Sequence, residues 1–531
     1  MKKLVILVSL DCTLRDGGYL NDWEFGYKMI CQTVRQLIAS NVDYVELGFL
    51  RNEDYQPDRT VFRHVKDAYH ILPKDCKNTR FTLMSLHNKY DISQLEDYDG
   101  GPIQRIRVTF HDYDVEEGLE YCRKVMEKGY EVACNPINIM GYSDGELLEI
   151  LRKVNEIHPT VFSIVDTFGS MKRNDLIRLY SLCENNLSKD ITIGLHLHEN
   201  LSLSYSLAQE FLNIKSYSRN CVIDGSLLGM GRVPGNLCIE LILDYLNNNY
   251  AKTYNIDPIL DAIDDYIVPI KRLEPWGYST AYSLSAKYNL HRNYAEFLLN
   301  KGKLKAKDIN HILASIEDCK KTAFDEAYVE ELYYHYQDCA VDDAQARAAF
   351  SQKLKGREIL ILAPGGSLER EEARIQAYIE EKSPVVITAN FKSELYRADY
   401  LFFSNVKRYE EYVNGPMEEE ILVTSNLKEG AKEAAGVFNY HDLTYDENGV
   451  FDNCTVMLLR LLKQIGIERV HLAGFDGYEE KPTDYVSSIL DYQERRKGAA
   501  HTNQLIRTLL SPIRSQMNLE FLTPSKYEKE E

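Results

Sequence analysis

His196 and His198 stand two residues apart in the run Gly194-Leu195-His196-Leu197-His198-Glu199-Asn200. On a β-strand, residues i and i+2 point the same way, so both imidazoles can reach one metal ion. Two imidazoles alone bind a cation weakly, whereas an added carboxylate completes a facial set and leaves positions open for substrate. Near the start of the chain, Asp11-Cys12-Thr13-Leu14-Arg15-Asp16-Gly17-Gly18 supplies that carboxylate, with Asp16 as the natural third ligand. Glu46, the pair Asp166-Thr167 and the segment Gly229-Met230-Gly231-Arg232-Val233-Pro234-Gly235-Asn236 complete the set of polar strand ends. An isolated His-x-His is as readily a surface pair as a metal site; in this company the surface reading is poor.

The elements that must position these residues are legible in the hydrophobic pattern. Between residues 4 and 250, short β-branched runs alternate with amphipathic stretches of helix length, the pattern of βα units feeding a parallel sheet. Strands are expected at 4–10, 43–49, 80–86, 103–110, 131–136, 161–166, 192–198 and 221–227. Eight units imply a closed (β/α)8 TIM barrel over 1–250, in which chemistry belongs to the carboxyl ends of the strands. Residues 251–350 lose the β pattern and are expected to form a helical extension covering the barrel mouth. From 356 to 525 the alternation returns, predicting a second, smaller doubly wound α/β domain with strands near 358–363, 384–389, 400–404, 420–424 and 469–473. The charged tail 525–531 is expected to fray.

The barrel residues resemble the DRE-TIM metallolyase superfamily, which includes 4-hydroxy-2-oxovalerate aldolase, hydroxymethylglutaryl-CoA lyase and isopropylmalate synthase. Arg15, Asp16 and Glu46 fall on the family's Arg, metal Asp and Glu; His196 and His198 fall on its metal histidines, and Gly229 to Asn236 on its glycine-rich loop. The resemblance implies a divalent metal, Mn2+ or Mg2+ ahead of Zn2+ or Co2+, held by Asp16, His196 and His198 with Asn236 as a further contributor. It implies cleavage or formation of a C–C bond beside the carbonyl of a 2-oxo acid such as pyruvate, with an aldehyde partner; a sugar-derived aldehyde is expected only if the C-terminal domain binds a nucleotide-linked sugar. The enolate so formed needs a metal and a cation, the role of Arg15, while Thr167 would hold the substrate carboxylate. A structural salt bridge between Arg15 and Glu46 is the other reading, compatible with the first. No Lys lies within the eight strand cores, which opposes a Schiff base, although Lys89 follows the third strand.

One position departs from the pattern. Where oxovalerate aldolases carry a base histidine three residues after the metal Asp, this chain has Tyr19, a poor base at an ordinary pKa near 10. His111, at the end of the fourth strand, is the second acid–base candidate. The stretch Trp276-Gly277-Tyr278-Ser279-Thr280-Ala281-Tyr282 looks like one in the helical domain of those aldolases whose tyrosine reaches the barrel mouth, which makes Tyr282 a further candidate.

In the C-terminal part, Ile359-Leu360-Ile361-Leu362-Ala363-Pro364-Gly365-Gly366-Ser367 reads as strand, glycine turn and helix start, a geometry that exposes backbone amides to phosphate. Together with Thr388-Ala389-Asn390, Ser404-Asn405 and the run closing at Asp476, it resembles the Rossmann-like core of a sialyltransferase family and of a family related to archaeal pterin pyrophosphokinase. The expectation is a nucleotide or nucleotide-sugar at Gly365, Gly366, Ser367 and Asn390; a domain used only for assembly is the alternative.

Bulk properties bound the partners. The chain has 531 residues, 44% of them hydrophobic, and 81 acidic against 62 basic side chains give a net charge of −19, which opposes nucleic acid and anionic membranes. The 11 cysteines include no CxxC pair and the apolar N-terminal run is too short for an export signal, so reduced thiols in the cytoplasm are expected; a homo-oligomer is a separate expectation. A Claisen-type acyl-CoA condensing enzyme, or a nucleotide-binding protein with a vestigial barrel, are the competing readings.

Overall fold

A computed structural model describes residues 6–337, 339–413, 417–427, 432–445, 451–479 and 499–528. The chain forms two compact units, Met1–Arg292 with Lys321–Ala323, and Asn293–Lys320 with Phe324–Glu531.

In the first unit nine strands lie in one parallel sheet: β1 (Leu7–Asp11), β2 (Tyr44–Leu50), β3 (Val61–Phe62), β4 (Arg80–Leu86), β5 (Ile103–Phe110), β6 (Glu131–Pro136), β7 (Val161–Asp166), β8 (Thr192–Leu197) and β9 (Cys221–Gly225). Their order is β1-β9-β8-β7-β6-β5-β4-β2-β3, and pairing of β1 with β2 through Leu10↔Tyr44 and Asp11↔Val45 closes eight of them into a (β/α)8 barrel. Side chains alternate as the pleat requires. On β5, Ile106, Val108 and Phe110 join the shell between sheet and helices, whereas Arg107 and Thr109, between them, are buried on the inner face. The outer shell is built by stripes such as Ile30, Val34 and Leu37 on the helix Tyr27–Ala39, each fully buried and contributing roughly 1.5–3 kcal/mol.

The two-residue β3 was not legible as a strand. It pairs with β2 at Phe49↔Val61, where Gly48 has φ +151 and a Cβ would stand 1.9 Å from the Thr60 carbonyl oxygen. Glycine alone admits that approach, and the β2–β4 register shifts between Glu46 and Phe49.

The second unit holds a parallel sheet in the order β14-β13-β12-β11-β10-β15-β16. Its strands are β10 (Ile359–Leu362), β11 (Val385–Ala389), β12 (Tyr400–Phe403), β13 (Glu420–Thr424), β14 (Gly436–Phe438), β15 (Arg469–Ala473) and β16 (Asn518–Phe521). Strand order reverses between β10 and β15, and separate apolar cores cover the two faces. The short strands β14 and β16 escaped the pattern reading.

Residues 251–350 do not form one extension. The helix Thr280–Lys287 belongs to the barrel unit, whereas Asn293–Asn300 and Glu326–Tyr336 belong to the second. Buried Asp452 shows why: it accepts the hydroxyls of Tyr333 at 2.9 Å and Tyr440 at 2.8 Å and pairs with Lys303. The expectation that the tail frays from residue 525 also fails for its described part. Tyr527 is buried and donates to Asn503 at 2.7 Å, because its ring packs on Phe475.

Asp452→Ala would leave Lys303 and two tyrosine hydroxyls facing an apolar methyl, at a cost of about 3 kcal/mol or more. Thermal melting and hydrogen exchange in the helix Glu326–Tyr336 should register the loss. Burial pushes the Asp452 carboxyl up, but Lys303, Lys301 and Tyr440 outweigh it and hold the group at about 2. Its stabilisation is therefore complete above the usual carboxylate range and disappears as pH falls from there through 2, so the variant should lose less stability on acidification than the parent.

Candidate metal centre

Asp16 reaches the barrel mouth through a one-turn helix, Thr13–Asp16, that follows β1 directly. Asp11 starts that turn by accepting the Thr13 amide at 3.0 Å and hydroxyl at 2.8 Å, and Thr13 in turn accepts the Leu227 amide at 2.8 Å. Trp23 pins it from the far side by donating to the Arg15 carbonyl at 2.7 Å. Gly18 must lack a side chain there, since a Cβ would fall 2.0 Å from the indole.

His196 and His198 meet this carboxylate from β8 and its end. The two Nε2 atoms lie 3.4 and 3.7 Å from Asp16 Oδ2, and the three donor atoms all fall within 4.8 Å of one another. Each Nδ1 is engaged elsewhere: His196 with Asp224 Oδ2 at 3.0 Å, His198 with the Asp166 carbonyl at 2.9 Å. Such outer contacts fix ring orientation and leave Nε2 for a cation. The glycine-rich loop closes the site: Glu199 donates to the Gly235 carbonyl at 2.8 Å, and Asn236 Nδ2 donates to Asp16 Oδ2 at 2.7 Å. Asn236 is 1% exposed, yet its Oδ1 has no hydrogen-bond partner among the described residues. A buried carbonyl oxygen left unmatched beside a carboxylate and two imidazoles suits a divalent cation, so the residues present fit the metal that the motifs imply.

Charge around the centre is organised over a longer range. Arg15 donates through Nε to Glu46 at 2.8 Å and through Nη1 to Asp16 at 2.6 Å, which leaves Nη2 without a partner among the described residues. Glu46 also accepts Arg107 Nη1 at 3.0 Å, and Arg107 continues to Asp224, the partner of His196. Burial would raise Asp16, but Arg15 and the two histidines outweigh it and hold the carboxyl far below its ordinary range. Burial would lower His196, yet Asp16 and Asp224 raise it, while burial and the charge of His196 push His198 down to about 4.

The other sequence candidates fall around this centre. Thr167 accepts the Asn138 amide at 2.7 Å, which orients its hydroxyl and leaves the proton to donate. Tyr19 is 41% exposed, edge-on to Trp23, with the Arg232 guanidinium 5.8 Å from its ring. His111 stacks on Tyr113 and carries Asp114 at 3.5 Å from Nδ1; Asp114 is shared with His87 at 2.7 Å. Tyr282 is buried in the helix Thr280–Lys287, whose position is set by Asn200 donating to the Tyr282 carbonyl at 3.3 Å and by Trp276 donating to the Leu228 carbonyl at 3.0 Å. Sequence reasoning passed over Arg107, Asp224, Asp114 and His87. Charged residues inside apolar strand patterns, Arg107 in β5 and Asp224 in β9, were the available signal.

In the second unit, the turn expected to cradle a phosphate is taken. The Ser367 amide donates to Asp476 Oδ2 at 2.8 Å and its hydroxyl bonds the other oxygen of the same carboxylate. Gly365 is equally close to this group: a Cβ there would stand 2.6 Å from Asp476 Cγ. Asn390, at φ +61, spends its side chain on Ser404.

Comparison with known proteins agrees with the barrel's geometry. Over 257 residues the chain is 21% identical to an oxaloacetate decarboxylase of Mycobacterium tuberculosis, covering 48% of this chain and 74% of the relative. Over 306 residues it is 23% identical to 4-hydroxy-2-oxovalerate aldolase 2 of Mycobacterium ulcerans, covering 53% and 84%. A crystal structure of the N-terminal domain of a candidate aldolase from Bacteroides vulgatus aligns at 22% identity over 55% of this chain and 96% of that one, with a TM-score of 0.48. Among the described residues no helix is long and apolar enough to cross a membrane. Residues 111–264, which include His196 and His198 but not Asp16, match the HMGL-like family model, so this part of the barrel is similar to HMGL-like domains, in line with its resemblance to DRE-TIM metallolyases.

Proposed function

We propose that the barrel makes or breaks the C–C bond next to the carbonyl of a 2-oxo acid of the pyruvate type, with an aldehyde as the other partner. The observation that carries this is the convergence of Asp16, His196, His198 and the unmatched Asn236 oxygen beside the open Nη2 of Arg15. These four residues would hold Mn2+ or Mg2+, which would supply Lewis-acid polarisation of a bound keto group. Arg15, locked by Glu46 and Asp16, presents its remaining N–H bonds to the oxygen on which enolate charge develops, and cannot turn away without breaking two buried ion pairs. Thr167 donates to the substrate carboxylate. Decarboxylation of oxaloacetate, the activity in the name of one relative, passes through the same enolate and makes the same demand on Arg15.

Proton transfer falls to His111. It stands four residues after Arg107, so the alternation that turns Arg107 inward carries His111 to the same side at the mouth, where Asp114 lies 3.5 Å from Nδ1. Tyr19 then contacts substrate from the exposed rim.

The enolate step is tested without knowing the aldehyde. Pyruvate methyl protons should exchange with D2O only when enzyme and Mn2+ or Mg2+ are both present, and His196→Ala or His198→Ala should remove both exchange and stoichiometric metal; exchange in metal-free enzyme would sink the reading. Arg15→Lys should cost 10²-fold or more in turnover with metal binding retained, because an ammonium cannot span Glu46, Asp16 and the substrate at once. Near-normal turnover would make Arg15 structural. His111→Asn should lower turnover by the order of 10²-fold and flatten the pH–rate profile. If Tyr19→Phe does this instead, the proton belongs to Tyr19.

A further inference from the structure

At the carboxyl end of the second sheet, where the strand order reverses between β10 and β15, lies a cavity of about 320 Å3. Open parallel α/β sheets bind ligands at this place, because adjacent loops diverge there and leave a crevice. The volume lies in the range of small-molecule sites. Its walls carry features that structural packing does not consume. Asn405 is 4% exposed and its Oδ1 caps the following helix through the Lys407 and Arg408 amides, at 2.9 and 3.3 Å. The oxygen being so used, the Nδ2 group has no acceptor among the described residues, and Asn405 lines the cavity. Thr455, equally buried and also on the wall, has a hydroxyl with no hydrogen bond among them. Two donors on nearly buried residues open onto the same void, where acceptors of a ligand can meet them.

The remaining wall narrows the chemistry. Phe451, Phe475 and Tyr478 offer apolar surface for a flat ring. Asp476 brings a carboxylate that already holds the Ser367 amide and hydroxyl and faces Arg370 at 3.4 Å, so the turn shaped for a phosphate is already occupied. A carboxylate with lone pairs to spare accepts from sugar hydroxyls instead.

We propose that this cavity binds a nucleoside, held through its base and ribose hydroxyls by Asn405, Thr455 and Asp476, with no phosphate at the Ser367 turn. The inference rests on the second unit alone and is independent of the barrel chemistry. Calorimetric titration of the full chain with adenosine, cytidine, guanosine, uridine and their 5′-monophosphates tests it. Saturable one-to-one binding is expected for at least one nucleoside, with the 5′-phosphate changing its affinity by less than tenfold. Asn405→Asp keeps the helix cap while removing the donor, and Thr455→Val removes the hydroxyl at nearly constant volume, so each should weaken binding tenfold or more at an unchanged melting temperature. Pyruvate exchange by the barrel should be unaffected in both variants. Three outcomes overturn the proposal: no heat beyond dilution with all eight compounds, a monophosphate binding more than tenfold tighter than its nucleoside, or an affinity indifferent to both substitutions.

Discussion

A closed ring of buried charge underlies everything else in the barrel. It runs from Asp16 to Arg15, Glu46, Arg107, Asp224 and His196, and returns from His196 to Asp16. Three carboxylates face two guanidinium groups, an excess of one negative charge when His196 is neutral. Isolating any of these ions in the barrel interior would cost several kcal/mol, so each is tolerable only while its neighbours hold position. A divalent cation at the Asp16 corner reverses the sign of the whole assembly. On the proposed reading, that change of sign would favour an anionic 2-oxo acid beside the metal.

This constraint explains which strands matter. The ring draws on residues of β2, β5, β8 and β9 and the turn after β1, so it can close only if the barrel does, and β1 must meet β2. Arg107 and Asp224 have no need to touch substrate, yet they decide where Glu46 and His196 point, and through them Arg15 and the metal corner. The inner face of the barrel is charged where an apolar filling would be more stable. That departure from ordinary packing marks the functional end of the molecule.

The second unit shows the opposite relation between motif and chemistry. Its strand, glycine turn and helix start form where the sequence suggests, but the amide that would hold phosphate is claimed by a carboxylate 109 residues away. Topology kept a crevice at the switch point and local chemistry changed what it can hold. Asp452 has a parallel role in the unit's architecture, drawing Lys303, from the loop after the helix Asn293–Asn300, and Tyr333, from the helix Glu326–Tyr336, into its buried network.

Much was readable beforehand, for physical reasons that differ from case to case. Period-two and period-3.6 hydrophobicity report which face of an element is buried, so the eight barrel strands, five strands of the second sheet and the inward pairing of His196 with His198 followed from the sequence by itself. Asp16 and Arg15, just past a strand end, and Glu46, within a strand, were identified because local sequence there matches the motifs of the resembled family. Tertiary structure alone decided the rest. The contact between Arg107 and Asp224 spans 117 residues and crosses the barrel interior, so no local period encodes it. The division of the helical region between two units depends on Asp452, which lies far downstream, and the occupancy of the phosphate turn depends on Asp476. Pattern tells a residue which way to face; strand order, register and closure decide whom it meets there.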